Sequence, residues 1–125
     1  MHYIVMEPHR SEFPEPITFA TGALLQVGEV YVGDEDWERW YFCETAGQKG
    51  GWVPGQIIRM LAPGKGVALE GYTARELEVD VGVQVLGSRQ LNGWIWCLVI
   101  EAPSDGSPCG NEGWLPLCNL HPIAV

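Results

Sequence analysis

Positive charge is scarce in this chain of 125 residues, where seven lysines and arginines face sixteen aspartates and glutamates and the net charge is −9. A protein that grips phosphate backbones presents a basic patch, so this balance argues against a nucleic-acid partner. Long apolar runs are missing too. None approaches the 18 residues that mark a membrane-spanning helix, and the first residues lack the basic, apolar and small-residue succession of a secretory signal. The expected setting is cytoplasmic, with no membrane partner. Signatures of catalysis are also absent: there is no nucleophile elbow, no glycine-rich phosphate loop opening a helix and no paired carboxylates on a legible scaffold. His2, His9 and His121 lie near ends or in loops. The chain reads as non-catalytic and without a cofactor.

Cysteine is sparse, at four residues. Cys109, Cys118 and His121 bring a zinc site to mind, but a structural site needs a fourth ligand and usually closely spaced cysteine pairs, so no metal is expected. Cys43 and Cys97 read instead as small buried core residues.

Glycine and tryptophan are plentiful, at sixteen and six residues, and they mark a repeat. Val27-Gly28, Trp40 and Cys43 recur 54 residues later as Val81-Gly82, Trp94 and Cys97. Gly51-Trp52-Val53-Pro54 recurs 62 residues later as Gly113-Trp114-Leu115-Pro116, because the stretch after Cys97 carries eight extra residues. An internal period near 60 points to two small domains. A domain of that size buries only about 60% of its unfolded surface. Its core therefore leans on aromatic rings, each able to bury roughly 150–250 Å².

Short apolar runs separated by Gly, Pro and Asn predict an all-β chain, a small barrel or sandwich in each half, with almost nothing helical. Strands are expected at 3–6, 23–32 with a break at Gly28, 40–44, 51–54 and 56–61, then at 67–69, 83–88, 94–100 and 114–117. Residues 1–61 form the first unit, 62–66 (Ala-Pro-Gly-Lys-Gly) a short linker, and 67–125 the second unit with an insertion at 102–112. The run Trp94-Ile-Trp-Cys-Leu-Val-Ile100 is nearly all apolar. It predicts a strand buried on both faces or shared with the other unit.

The second unit resembles the Src-homology 3 (SH3) family. Ala68-Leu69-Glu70-Gly71-Tyr72 is similar to the family's opening Ala-Leu-Tyr-Asp-Tyr, and Glu76-Leu77 to the Glu-Leu that follows. Val81-Gly82, Trp94-Ile95-Trp96 and Gly113-Trp114-Leu115-Pro116 match the later landmarks in order. In the first unit Val27-Gly28, Trp40 with Phe42, and Gly51 to Pro54 are in place, while the opening motif is not legible. The whole resembles the tandem, divergent SH3 proteins of bacteria. The resemblance implies a five-stranded, mostly antiparallel barrel for each half.

It also implies a groove for proline-rich peptides in the polyproline II form. Carried over by residue, the groove of the second unit contains Tyr72, Trp94 and Pro116, with Asn119 where the family has its last tyrosine. In the first unit Trp40 and Pro54 match, and Ile57 stands at that tyrosine position. Glu76, Glu78 and Asp80 fall on the loop whose carboxylates pair with a basic residue of the ligand, and Asp34, Glu35, Asp36 and Glu38 fall on the loop before Trp40. A basic partner would suit both. Trp40 and Trp94 are the best candidates for exposed groove tryptophans; Trp52 and Trp114 could face either core or groove.

Three functions remain open at this level. One is a protein-interaction module for an extended, proline-rich or basic peptide, acting as a monomer or weak homodimer. Another is a structural or homotypic assembly unit with occluded grooves. The third is a cell-wall or small-ligand binder.

Overall fold

Apolar residues at every second position, broken by glycine and proline, leave strands as the only economical way to bury one face. The computed structural model describes residues 1–11, 15–31, 40–101 and 110–124. It is all-β apart from single 3-10 turns, and its strands form antiparallel sheets. The chain divides into two units: Phe13–Arg75, and a discontinuous unit made of Met1–Glu12 with Glu76–Val125.

In the discontinuous unit, strands β1 (His2–Val5), β9 (Gln84–Leu91), β10 (Trp94–Glu101), β11 (Glu112–Pro116) and β12 (Leu120–Pro122) form one sheet in the order β11-β10-β9-β1-β12. Strands β9 and β10 are joined at Asn92-Gly93, whose φ values of 48° and 85° are those of the two-residue hairpin turn that Asn-Gly favours. The core is Tyr3, Val5, Leu77, Val79, Val83, Val85, Ile95, Cys97, Val99 and Leu115. Along β10 only Ile95, Cys97 and Val99 are buried, and the residues between them are partly or fully exposed. This strand is one-sided, not buried on both faces.

The Phe13–Arg75 unit repeats the plan. Its strands are β2 (Thr18–Phe19), β3 (Leu24–Val30), β4 (Trp40–Glu44), β5 (Gly51–Pro54), β6 (Ile58–Ala62), β7 (Lys65–Ala68) and β8 (Tyr72–Thr73). Five of them form a sheet in the order β5-β4-β3-β7-β6, and β2 pairs with β8. The core gathers Ile17, Phe19, Leu25, Val27, Cys43, Val53, Ile57 and Ala68. Burial pushes the thiols of Cys43 and Cys97 up to about 11 and about 12, so both stay protonated at neutral pH.

The division differs from the linear one expected at residues 62–66. That stretch is no linker: β6 turns at Pro63-Gly64 into β7, its antiparallel neighbour in the same sheet. The opening strands are exchanged. Residues 2–5, expected in the first unit, pair with β9 and β12, and residues 65–68 pair with β3 and β6.

The register also corrects the repeat. Val27 lies opposite Cys43, and Gly87 lies opposite Cys97, so Val27 corresponds to Gly87 and not to Val81. The equivalent turn glycines are Gly22 and Gly82, with φ of 86° and 95°. In the Gly-Trp-x-Pro element the glycine is demanded by a close approach. A Cβ on Gly51 would stand 2.7 Å from Ile17 Cγ2, and one on Gly113 would stand 2.9 Å from the Leu77 backbone N. The proline is demanded by its fixed φ, −63° at Pro54 and −65° at Pro116, where each strand turns into a 3-10 turn.

Candidate functional site

Each unit carries a tryptophan at the start of the strand next to one edge of its five-stranded sheet, set opposite the proline of the Gly-Trp-x-Pro element. Trp40 lies opposite Pro54, and Trp94 lies opposite Pro116. The residues around these two pairs differ.

In the Phe13–Arg75 unit Trp40 is only 8% exposed, against the expectation of an open groove tryptophan. Its indole Nε1 is buried and has no hydrogen-bond partner among the described residues. Ile57 is 1% exposed and belongs to the core, so it lines no groove. Tyr72 lies in this unit, not beside Trp94. Its ring packs on Phe19 at 5.7 Å, and its hydroxyl donates to the Trp52 carbonyl at 3.3 Å. Trp52 meets Tyr31 and Phe42 edge-on, at 5.7 and 5.4 Å. The acidic stretch Asp34–Glu38 lies outside the described residues, as do Cys109 and most of the 102–112 insertion.

In the discontinuous unit Trp94 is partly exposed. His9 meets it at 5.5 Å with the two rings nearly perpendicular. His9 also places Nε2 2.6 Å from Glu76 Oε1, with both side chains about 15% exposed. The carboxylate can only accept when ionised, so Nε2 carries the proton in that contact. Asn119 is buried, and its amide donates to the carbonyls of Glu7 and Pro8 at 3.4 and 3.3 Å. Its own backbone carbonyl accepts from Met6 N at 2.8 Å. Asn119 thus clamps the segment that carries His9. Glu78 is exposed, whereas Asp80 pairs with Arg10 at 2.5 Å.

The structure therefore brings Trp94, Pro116, Asn119 and Glu76 into one unit and puts Tyr72 in the other. His9 was missed by sequence reasoning. It lies opposite Val79 as Tyr72 lies opposite Phe19, which makes it the counterpart of Tyr72. The faint signal was Met6-Glu7-Pro8-His9 against Leu69-Glu70-Gly71-Tyr72, with a glutamate at the same step of each.

No curated protein and no solved structure matches the chain. A family model does match part of it, and that match runs across the exchange, taking its opening strand from one unit and its remaining strands from the other. Domains of that family are generally non-catalytic modules that bind proteins or peptides. Residues 2–61 match the variant SH3 domain family.

Proposed function

We propose that the chain is a non-catalytic protein-interaction module that takes an extended, proline-rich peptide against the exposed part of Trp94 in the discontinuous unit, with Pro116, buried opposite it, as part of the scaffold. The supporting observation is the contrast between the two tryptophans: Trp94 keeps part of its ring open, while Trp40 is 8% exposed. A polyproline II peptide is already ordered before binding and packs its rings on flat aromatic surfaces. The open part of the Trp94 indole supplies such a surface, while Pro116 opposite it is buried. In this reading Pro54, Trp40, Ile57 and Tyr72 serve the scaffold of their own unit.

Trp94→Ala should weaken binding of the best peptide from a panel of proline-rich decamers by about 30-fold, the loss typical of an interface tryptophan. Titration calorimetry measures it, with a thermal melt on the same sample. Retained affinity in a folded variant sinks the reading, and a collapsed melt shows that Trp94 belongs to the core.

One observation favours a second reading, self-association. Strand β6 is an edge of its sheet, and its Met60 and Leu61 are 52% and 57% exposed. Exposed apolar edges invite pairing with another chain. On this reading the mass by light scattering should rise with concentration, and a monomer mass at two concentrations tenfold apart would reject it.

A further inference from the structure

His9 links the proposed peptide site at Trp94 to the Glu76 carboxylate, so the chain itself already occupies that carboxylate. His9 donates to Glu76 at 2.6 Å while its ring meets the Trp94 ring nearly perpendicular, with centroids 5.5 Å apart. The next residue, Arg10, reaches Asp80 at 2.5 Å and donates to the Val79 carbonyl at 2.9 Å. Two consecutive basic residues of the N-terminal segment thus meet two of the three carboxylates between Glu76 and Asp80. The third, Glu78, alternates to the other side of Leu77 and Val79, which are buried, and is itself exposed. The segment is also held in place by backbone. His9 and Val79 exchange N–H···O bonds at 2.9 and 3.0 Å, and the Asn119 amide grips the carbonyls of Glu7 and Pro8.

We infer that His9 is a specificity-determining residue of this groove, and that its presence makes the groove select extended peptides without a basic residue facing Glu76. The inference rests on the reading of Trp94 as the peptide site. A guanidinium recognises a carboxylate through both oxygens. Here one oxygen is taken, and the side chain retains only 14% exposure. A ligand cation would have to displace an imidazole that backbone and indole hold from two other sides. The counterpart of His9 in the other unit is Tyr72, which shows that a phenol fits this place in the fold. The Tyr72 hydroxyl donates to the Trp52 carbonyl, so the hydroxyl of His9→Tyr is expected to turn to the equivalent Trp114 carbonyl and leave Glu76 free without emptying the site.

The test uses two matched proline-rich decamers on the full-length chain, one with an arginine at the end nearest Glu76 and one with alanine there, titrated at one ionic strength. Wild type is expected to bind the two within about threefold, and His9→Tyr to prefer the arginine peptide by about tenfold, the gain of one charge-assisted hydrogen bond. His9→Tyr/Glu76→Gln should lose that preference. His9→Phe replaces the tyrosine variant should the latter fail to melt cooperatively.

A tenfold arginine preference in wild type that Glu76→Gln removes would overturn the inference and leave the groove reading intact. So would binding of the alanine peptide by His9→Tyr with no gain for arginine. Absence of binding by wild type and variant to either peptide overturns the groove reading, and the inference falls with it.

Discussion

Gly87→Val should destabilise the discontinuous unit by at least about 1–3 kcal/mol, the usual cost of forcing extra carbons into a packed core, and combining it with Tyr3→Gly should cost less than the two single losses added. A Cβ on Gly87 would collide with Ile95 Cδ1 and stand 2.9 Å from Tyr3 Cε2. The isoleucine methyl can swing aside. The tyrosine ring, 6% exposed, has less freedom. Tyr3→Gly alone removes a buried ring and should cost about 3–5 kcal/mol. The double variant copies an arrangement that the other unit already uses, where Gly66 takes the place of Tyr3 and Val27 that of Gly87. Its unfolding free energy should therefore exceed the sum expected from the single variants by about 1 kcal/mol or more. For units of this size about 1 kcal/mol moves the melting point by about 4–8 °C, so calorimetric scans of the four chains suffice. Additive losses would show that the ring and the glycine do not share one space.

The same two places explain what the sequence could and could not reveal. The Asn92-Gly93 hairpin, the Gly-Trp-x-Pro elements and the apolar run from Trp94 to Ile100 are local signals, and the strands they predict are present, although the run buries one face and not both. The address of an opening strand is not local. Tyr3 and Val5 point inward on β1 as Gly66 and Ala68 do on β7, so alternation lets either strand enter either sheet. Only the size of the facing residue distinguishes them, and that is a relation between positions far apart in the chain. The candidate site inherits the ambiguity. Trp94, Pro116 and Glu76 were legible because they lie after the exchange, while Tyr72 was assigned to the wrong neighbours and His9 passed for a loop histidine. Trp40 shows a second limit. Its place opposite Pro54 is set by the strand pattern, but its burial depends on what surrounds the sheet.

A disulfide should form within the chain of Ile4→Cys/His121→Cys and should fail to form in Ile4→Cys/Arg59→Cys, both built on a Cys109→Ser/Cys118→Ser background. Ile4 faces His121 across β1 and β12. Directly opposed residues of an antiparallel pair have Cα atoms about 4.5–5.5 Å apart, within the span a disulfide accepts. Arg59 is the residue Ile4 would face were β1 to take the place of β7, because Val67, the counterpart of Ile4, lies opposite Arg59. Sterics oppose that arrangement on both sides. Tyr3 would replace Gly66, where even a single added carbon would stand 2.7 Å from Ile58 Cγ2 and 3.2 Å from both Val27 Cγ2 and the Arg59 carbonyl. Gly66 would in turn take the place of Tyr3 opposite Val85 and beside Gly87, leaving a void where the tyrosine ring had been, and unfilled core volume of that kind costs about 3–5 kcal/mol. One misplacement overfills a core and the other empties one, so the penalties add and the exchanged closure prevails by several orders of magnitude in population. Mass spectrometry of peptides from the oxidised chains reads the outcome directly. An intrachain bridge in the Ile4→Cys/Arg59→Cys variant would mean that residues 2–61 close on themselves in the linear order of the family match, and a bridge between two copies would mean that the opening strand is donated from one chain to another.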